Sequence, residues 1–274
     1  MNKGSSWRIV SLCLALALAS ELLPTVAAFC QIPKHSVSQN DILFSRTLSL
    51  PKATIAPHEH EMEEPLELPP KTMPAAVARF FLGPDVGPIS IVGILIGFSG
   101  WRMEMGSAVG VNDAFLFAAS IVFWWFQEHI MHQRLLHSDF DWMGKEIHQG
   151  HHNKPYFHVS IDPAGLMIGW LTAVHVILRL VLPVDLAVSA TIGYAGAGLM
   201  YEWAHYVAHT RVKPPNQFWK RVRDNHIKHH MVDNRYWFGF SLPAIDDWFG
   251  TNPSLLDVKQ AKAAPAPAKE LQNI

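Results

Sequence analysis

The sequence predicts an all-α, polytopic membrane helical bundle of about four membrane helices, closed on one side by a histidine-rich polar helical cap. Three observations carry that expectation. Four apolar stretches, residues 88–101, 114–126, 164–182 and 186–203, alternate with polar sequence. Charged residues make up 16% of the 274-residue chain, against about a quarter in ordinary globular proteins. Histidines number 16 against 22 lysines and arginines, and ten of them fall in four spaced groups between residues 132 and 230. The formal charge of −1 and pI near 7 argue against a nucleic-acid partner, which calls for a basic patch. Two cysteines, Cys13 and Cys30, exclude a disulfide framework and any four-thiolate zinc or iron–sulfur site.

Residues 1–28 read as a signal peptide. Lys3 and Arg8 precede a short apolar run, and Val26-Ala27-Ala28 offers small residues for cleavage before Phe29. The run is too short to cross a bilayer, which takes about 20 residues; an uncleaved anchor is the alternative. Residues 29–57 carry Lys34, Arg46 and Lys52 against Asp41 alone, with Ser36, Ser38, Ser45 and Ser49. That composition fits a transit peptide, or else a plain linker after a secretory signal. Signal, Phe29 and transit-like stretch together resemble the bipartite leaders of proteins entering complex plastids. A plastid membrane is thus the expected destination, with the endoplasmic reticulum membrane as the alternative. Residues 58–74 turn acidic and proline-rich and read as a linker.

The folded part is expected over residues 75–255. Stretches one and two are shorter than a full span, stretch three reaches membrane length but carries His175 and Arg179, and stretch four is rich in Gly, Ala and Ser. Small residues let membrane helices approach closely. A buried soluble helical core remains the alternative, because no stretch is a charge-free 20-mer. Pro183 and Asp185 mark a tight hairpin between stretches three and four. Residues 256–274, alternating Ala and Pro with Lys259, Lys262 and Lys269, read as a disordered tail.

The ten grouped histidines are His132 and His137; His148, His151 and His152; His205 and His209; and His226, His229 and His230. Residues three and four apart share a helix face, so each H-x-x-H-H group puts its imidazoles on one side of a turn. His132 and His137 diverge by about 140° on an ideal α-helix. They need a helix end or a local distortion if both are to face one site. Neutral imidazole suits iron, zinc and copper. Ten ligands exceed one ion's capacity, and two ions with about five nitrogens each is the simplest allocation. If stretches two to four all cross, every group falls on one side of the membrane.

The order H-x4-H, H-x2-H-H, H-x3-H, H-x2-H-H resembles the fatty acid hydroxylase superfamily of membrane di-iron enzymes. Within it the sequence is most similar to the fatty acid (sphingolipid) 2-hydroxylases. Asn225-His226-Ile227-Lys228-His229-His230, Phe238-Gly239-Phe240-Ser241 and Asp247-Trp248-Phe249-Gly250-Thr251 carry the most specific part of the likeness, as does Gly150-His151-His152-Asn153-Lys154-Pro155. It covers about residues 110–255. The chain departs from the pattern in placing Asp246 and Asp247 before the Trp, in the ten residues between His137 and His148, and in lacking a cytochrome b5 domain ahead of the membrane part.

The resemblance implies two iron ions held by the ten histidines (with zinc an alternative in purified protein), O2 as co-substrate, and hydroxylation of a lipid acyl chain, 2-hydroxylation in particular. No catalytic residue beyond the ligands is marked. Electrons would come from a separate carrier of the cytochrome b5 or ferredoxin type. Glu202 and Asp224 are candidates to orient ligand imidazoles, while Asp233 reads as a solvated surface residue. The basic run Arg211, Lys213, Lys220, Arg221 and Arg223 fits either lipid headgroups or an acidic donor, or a plain charged surface. Trp124, Trp125, Trp203, Trp219, Trp237 and Trp248 are expected to form an interfacial belt. Rival outcomes on the same scaffold are a desaturase or a sterol or carotenoid oxidase; a membrane metal transporter is the rival from another class.

Overall fold

The computed structural model describes residues 68–156, 159–160 and 162–263. The expected signal peptide (1–28), transit stretch (29–57), most of the linker and residues 264–274 of the tail lie outside the described residues. The described residues form helices α1 (Met73–Leu82), α2 (Gly87–Glu104), α3 (Val111–Met131), α4 (Met143–Asn153), α5 (Ala164–Val181), α6 (Val184–Ala208), α7 (Gln217–Met231), α8 (Ala244–Phe249) and α9 (Leu255–Ala263). A π-helical turn, His132–Leu136, continues α3. The all-α expectation holds, and the four apolar stretches become α2, α3, α5 and α6.

These four helices form the bundle, with α6 at its centre. Most of α6 is buried, from Ala187 to Ala208, and it presents Gly193 to the main chain of α3. A Cβ on Gly193 would lie 2.3 Å from the Phe117 carbonyl oxygen, so only hydrogen allows this approach. One ring further along, Gly198 faces the indole of Trp124. Ile91 and Ile94 of α2, Met167 and Leu171 of α5, and Tyr194 of α6 make the shared core. The Tyr194 hydroxyl accepts from Trp170 Nε1 at 2.7 Å and meets Gln127 at 2.7 Å, tying three helices together in an apolar setting.

Four spans are not what the helices offer. Two are long and apolar enough to cross a membrane, Val111–Leu136 and Ala164–Val181. A third is added if α1 and α2, bent by 74°, count as one broken span. Helix α6 fails on hydropathy for a physical reason. Lipid-facing helices must be apolar on their outer side, whereas a helix wrapped by protein needs small residues for close packing. The outer helices accordingly expose Phe115, Val122, Phe123, Ile177, Leu180 and Val181, a surface too apolar for water.

The bundle's two ends differ. At one end Arg102 Nε donates to Asp113 Oδ1 at 2.9 Å, and Ser189 Oγ donates to the same oxygen at 2.6 Å. This buried polar lock joins the C-terminus of α2 to the N-termini of α3 and α6. The other ends of α3 and α6 run into the first and third histidine groups, as the one-sided arrangement requires. There α1 closes the side of α6, with Phe80 fully buried between Trp203 and Tyr206.

Two expected boundaries need correction. Part of the tail is helical: α9 begins with a reciprocal cap in which Asp257 N donates to Ser254 Oγ and Ser254 N to Asp257 Oδ2, and it buries Val258. The linker is tied down before residue 74, since Arg211 donates to the carbonyls of Pro69 and Pro70, and α1 starts at Met73 with proline in its first turn.

Substituting Gly193→Val would drive methyl groups into the α3 backbone. Overpacking typically costs ~1–3 kcal/mol, so thermal unfolding of the detergent-solubilised protein should shift to clearly lower temperature. A value equal to wild type would show that α3 and α6 do not meet at this point.

Candidate metal centre

The π turn solves the geometric problem posed by His132 and His137. His137 N donates to His132 O at 3.2 Å, an i to i+5 bond, which widens the turn and brings five-apart side chains onto one face. Helices α4 and α7 carry the two H-x-x-H-H groups, and α6 carries His205 with His209 just past its end.

All ten expected ligands converge, in two groups of five. His132, His137, His148, His152 and His229 form one group, and His151, His205, His209, His226 and His230 the other. In each, the five ligand nitrogens lie within 4.8 Å of one another. The H-x-x-H-H triplets are divided between the groups. Helix α4 sends His148 and His152 to the first and His151 to the second, while α7 sends His229 to the first and His226 and His230 to the second. Both helices therefore lie along the boundary between the sites.

The donor set fits two metal ions. Neighbouring Nε2 atoms stand 3.1 Å apart for His132 and His148, 3.0 Å for His137 and His229, 2.9 Å for His151 and His205, and 2.7 Å for His209 and His226. Metal–imidazole bonds of ~2.1 Å at right angles would space adjacent nitrogens by ~3.0 Å. Five nitrogens per ion is one more than a tetrahedral zinc site accepts, and imidazole suits zinc, copper, iron and nickel alike. Burial keeps these rings neutral: it lowers His137 to about 4 and His152 and His209 to about 3, and it depresses His148, His226, His229 and His230 as well. Neutral imidazole is the form that binds a cation.

The groups that orient the ligands are mostly ones the sequence did not mark. His132 Nδ1 donates to the Phe238 carbonyl and His229 Nδ1 to the Tyr236 carbonyl, each at 2.8 Å. The segment bearing those carbonyls is held by two buried carboxylates. Glu128 Oε1 accepts from Phe240 N and Ser241 N, and Asp246 accepts from Phe238 N, Gly239 N and Thr251 Oγ1. His129, also buried, sits 2.8 Å from Thr251 Oγ1. A carboxylate that binds a main chain leaves no spacing pattern, although Phe238-Gly239-Phe240-Ser241 and Asp246 did lie within the family likeness.

Several expected roles are corrected. Asp224, proposed to orient a ligand, pairs with Lys220 one turn earlier, its side chain 43% exposed. Two residues before His226, it sits across α7 from the ligand face. Asp233, expected on the solvated surface, is buried, and Arg235 holds its carboxyl down at about 2. Glu202 is buried beside the first group's cavity. Trp237 is wholly buried and belongs to no interfacial belt. In the basic run, Arg211 binds Pro69, Lys220 binds Asp224, Arg221 binds Asp247, and Arg223 binds Val212.

An apolar cavity of about 160 Å³ leads to the first group. Ile91, Trp124, Met167 and Leu171 line it, and it ends at His132 and His148.

The described residues thus form a helical bundle with two helices long and apolar enough to cross a membrane and two five-histidine groups that could each hold a metal ion. The comparisons with known proteins are more particular. The family model for fatty acid hydroxylases matches residues 117–251, just under half of the chain, and that segment is similar to a fatty acid hydroxylase domain. Mouse fatty acid 2-hydroxylase is 28% identical over 162 residues, covering 55% of this chain and 42% of the relative. The ceramide very long chain fatty acid hydroxylase scs7 of Schizosaccharomyces pombe is 29% identical over 154 residues, covering 52% and 43%. The chain thus spans less than half the length of these curated relatives. A solved structure of full-length scs7p, in which only the hydroxylase domain is visible, shares the fold at a TM-score of 0.54 and 20% identity, over 64% of this chain and 70% of that one.

The lowered histidine pKa values fix the sign of a pH effect. Free histidine titrates near 6.5, so below that pH the unfolded chain takes up protons that the folded cap refuses, and stability falls as pH drops. Chelator-stripped protein in detergent should be most stable above pH ~6.5 and lose unfolding temperature steadily towards pH ~4. A flat profile over that range, or stability that rises towards pH ~4, would show that these seven rings are not held as neutral imidazoles.

Proposed function

We propose that this protein is a membrane-bound non-haem di-iron oxygenase that hydroxylates a lipid acyl chain, at the 2-position as the name of the mouse relative has it. The observation that carries the reading is the narrow apolar cavity ending at His132 and His148 of one five-histidine group. Its volume of about 160 Å³ is below the ~300–1,000 Å³ of general small-molecule pockets. Its mostly apolar lining suits a hydrocarbon part of a lipid.

Two irons bound by the ten histidines would supply reductive activation of O2, so that one oxygen atom enters a C–H bond and the other leaves as water. The balance takes two electrons and two protons from outside the chain, hence a separate carrier of the cytochrome b5 or ferredoxin type. The chain's own side chains do the rest. Ile91, Met167 and Leu171 bind the acyl segment and exclude water, Trp124 closes the slot against Gly198, and the Phe238 and Tyr236 carbonyls fix the planes of His132 and His229. Glu202 and Tyr201 border the same slot and are the nearest candidates to orient groups there. A transporter is disfavoured because His175, within α5, is hydrogen-bonded to Thr191 and packed on Phe98 and Trp101 rather than facing an ion path. The destination membrane depends on residues 29–57, outside the described residues; an endoplasmic reticulum membrane fits the relatives without that segment.

Expression in a host that makes no 2-hydroxylated lipids, followed by lipid mass spectrometry, tests the proposal. Acyl chains should gain one oxygen, and the product should vanish with His229→Ala. Loss of two hydrogens instead would make the enzyme a desaturase. Unchanged lipids, with an electron donor co-expressed, would refute acyl oxidation.

A further inference from the structure

The two five-histidine groups are alike in composition but not in what surrounds them. Residues 236–241 pass beside the first group as a strap. Its carbonyls at Tyr236 and Phe238 accept from His229 and His132, both ligand candidates of the first group. Between them Trp237 takes a positive φ of 60°, in the left-handed region that non-glycine residues seldom adopt. Such strain persists only where the surroundings over-determine it. Here they do: Trp237 is fully buried, its N–H donates to the Thr251 carbonyl at 2.9 Å, and the strap's next four N–H groups end on Asp246 and Glu128.

For three rings of the second group the described residues offer no such acceptor. The Nδ1 atoms of His209, His226 and His230 have no protein hydrogen-bond partner among the described residues. Within the first group His148 Nδ1 is in the same position, so the strap secures two of its five rings. Phe240 packs against His132, His205 and His226 and so touches both groups. That contact fills space without fixing the plane of a ring.

We infer that the 236–241 strap makes the two metal positions unequal, pre-forming the one beside the acyl slot, with Glu128 and Asp246 as positioning residues that act through the main chain. The inference rests on the metal-binding reading above. Glu128 reaches the strap from α3 and Asp246 from α8, so one position is assembled from three separate parts of the chain. Hydrogen bonds that orient a ligand imidazole raise metal affinity by about 10–100-fold. The strapped position should therefore fill first, leaving the second more easily lost or exchanged.

Titration of chelator-stripped, detergent-solubilised full-length protein with cobalt(II), followed by visible absorption and bound-metal counting, tests this. Wild type should bind two ions in two phases. Asp246→Ala should weaken the tighter phase by about 10–100-fold and leave the other in place. His226→Ala, in the second group, should do the reverse. Glu128→Ala should behave like Asp246→Ala, whereas Glu128→Gln keeps an Oε1 acceptor for Phe240 N and Ser241 N and should restore both phases. Should Asp246→Ala not fold, Asp246→Asn serves: it retains one acceptor but sets an amide against Gly239 N–H, and should weaken the tighter phase alone. Equal weakening of both phases, or of neither, in the folded variants would overturn the inference. A wild-type protein that binds no cobalt would instead overturn the metal-binding reading beneath it.

Discussion

Ten imidazoles, seven of them buried and three half-buried, point their nitrogens inward at two centres, and the rest of this fold answers to that requirement. A buried ring nitrogen without a partner is costly, so the rings must be brought close enough to share partners. The requirement sets the layout. Because α4 and α7 each serve both groups, neither can shift along the other without spoiling two sites at once. Because the first and third boxes lie at the ends of α3 and α6, those helices must run side by side with matched ends. The Gly193 approach and the Arg102–Asp113–Ser189 lock at the opposite end hold them there.

On the proposed reading the bundle also supplies the place for the acyl chain. The hydrocarbon slot is made of the same side chains, Ile91, Met167 and Leu171, that pack α2, α5 and α6 together. Packing and binding are then one arrangement, and the slot's width follows from how closely α6 lets its neighbours approach.

Much of the site was legible in the sequence because side-chain spacing carries it. Three- and four-residue intervals are helical intervals, and the eight histidines they group, with the five-apart pair, are the ten that converge. The five-residue interval was legible as a need for distortion, without revealing its form. The orienting layer was not legible. Its acceptors at Tyr236 and Phe238 are carbonyls, which every residue possesses, and Glu128 and Asp246 act on backbone N–H groups with no interval to a histidine. Asp224 looked promising from chain proximity alone, yet its helical phase faces it outward. The central role of α6 was hidden for a related reason: hydropathy measures suitability for lipid, and this helix, enclosed by protein, falls short of a membrane span. The α9 helix could have been read from Ser254 and Asp257, a three-residue capping interval, had the Ala-Pro sequence beyond it not dominated.

The π turn at His132–Leu136 gives the unequal box spacings a common meaning. His205 and His209 stand four apart on α-helical backbone, His132 and His137 five apart on π-helical backbone, and each pair closes on its own centre. The interval between paired histidines is thus a gauge of local winding, recorded in the amino-acid sequence. Removing one residue between His132 and His137 would offer the chain an ordinary α-helical turn in place of the wider one. The more relaxed helix would then fit a four-residue interval, so winding and spacing can change only together.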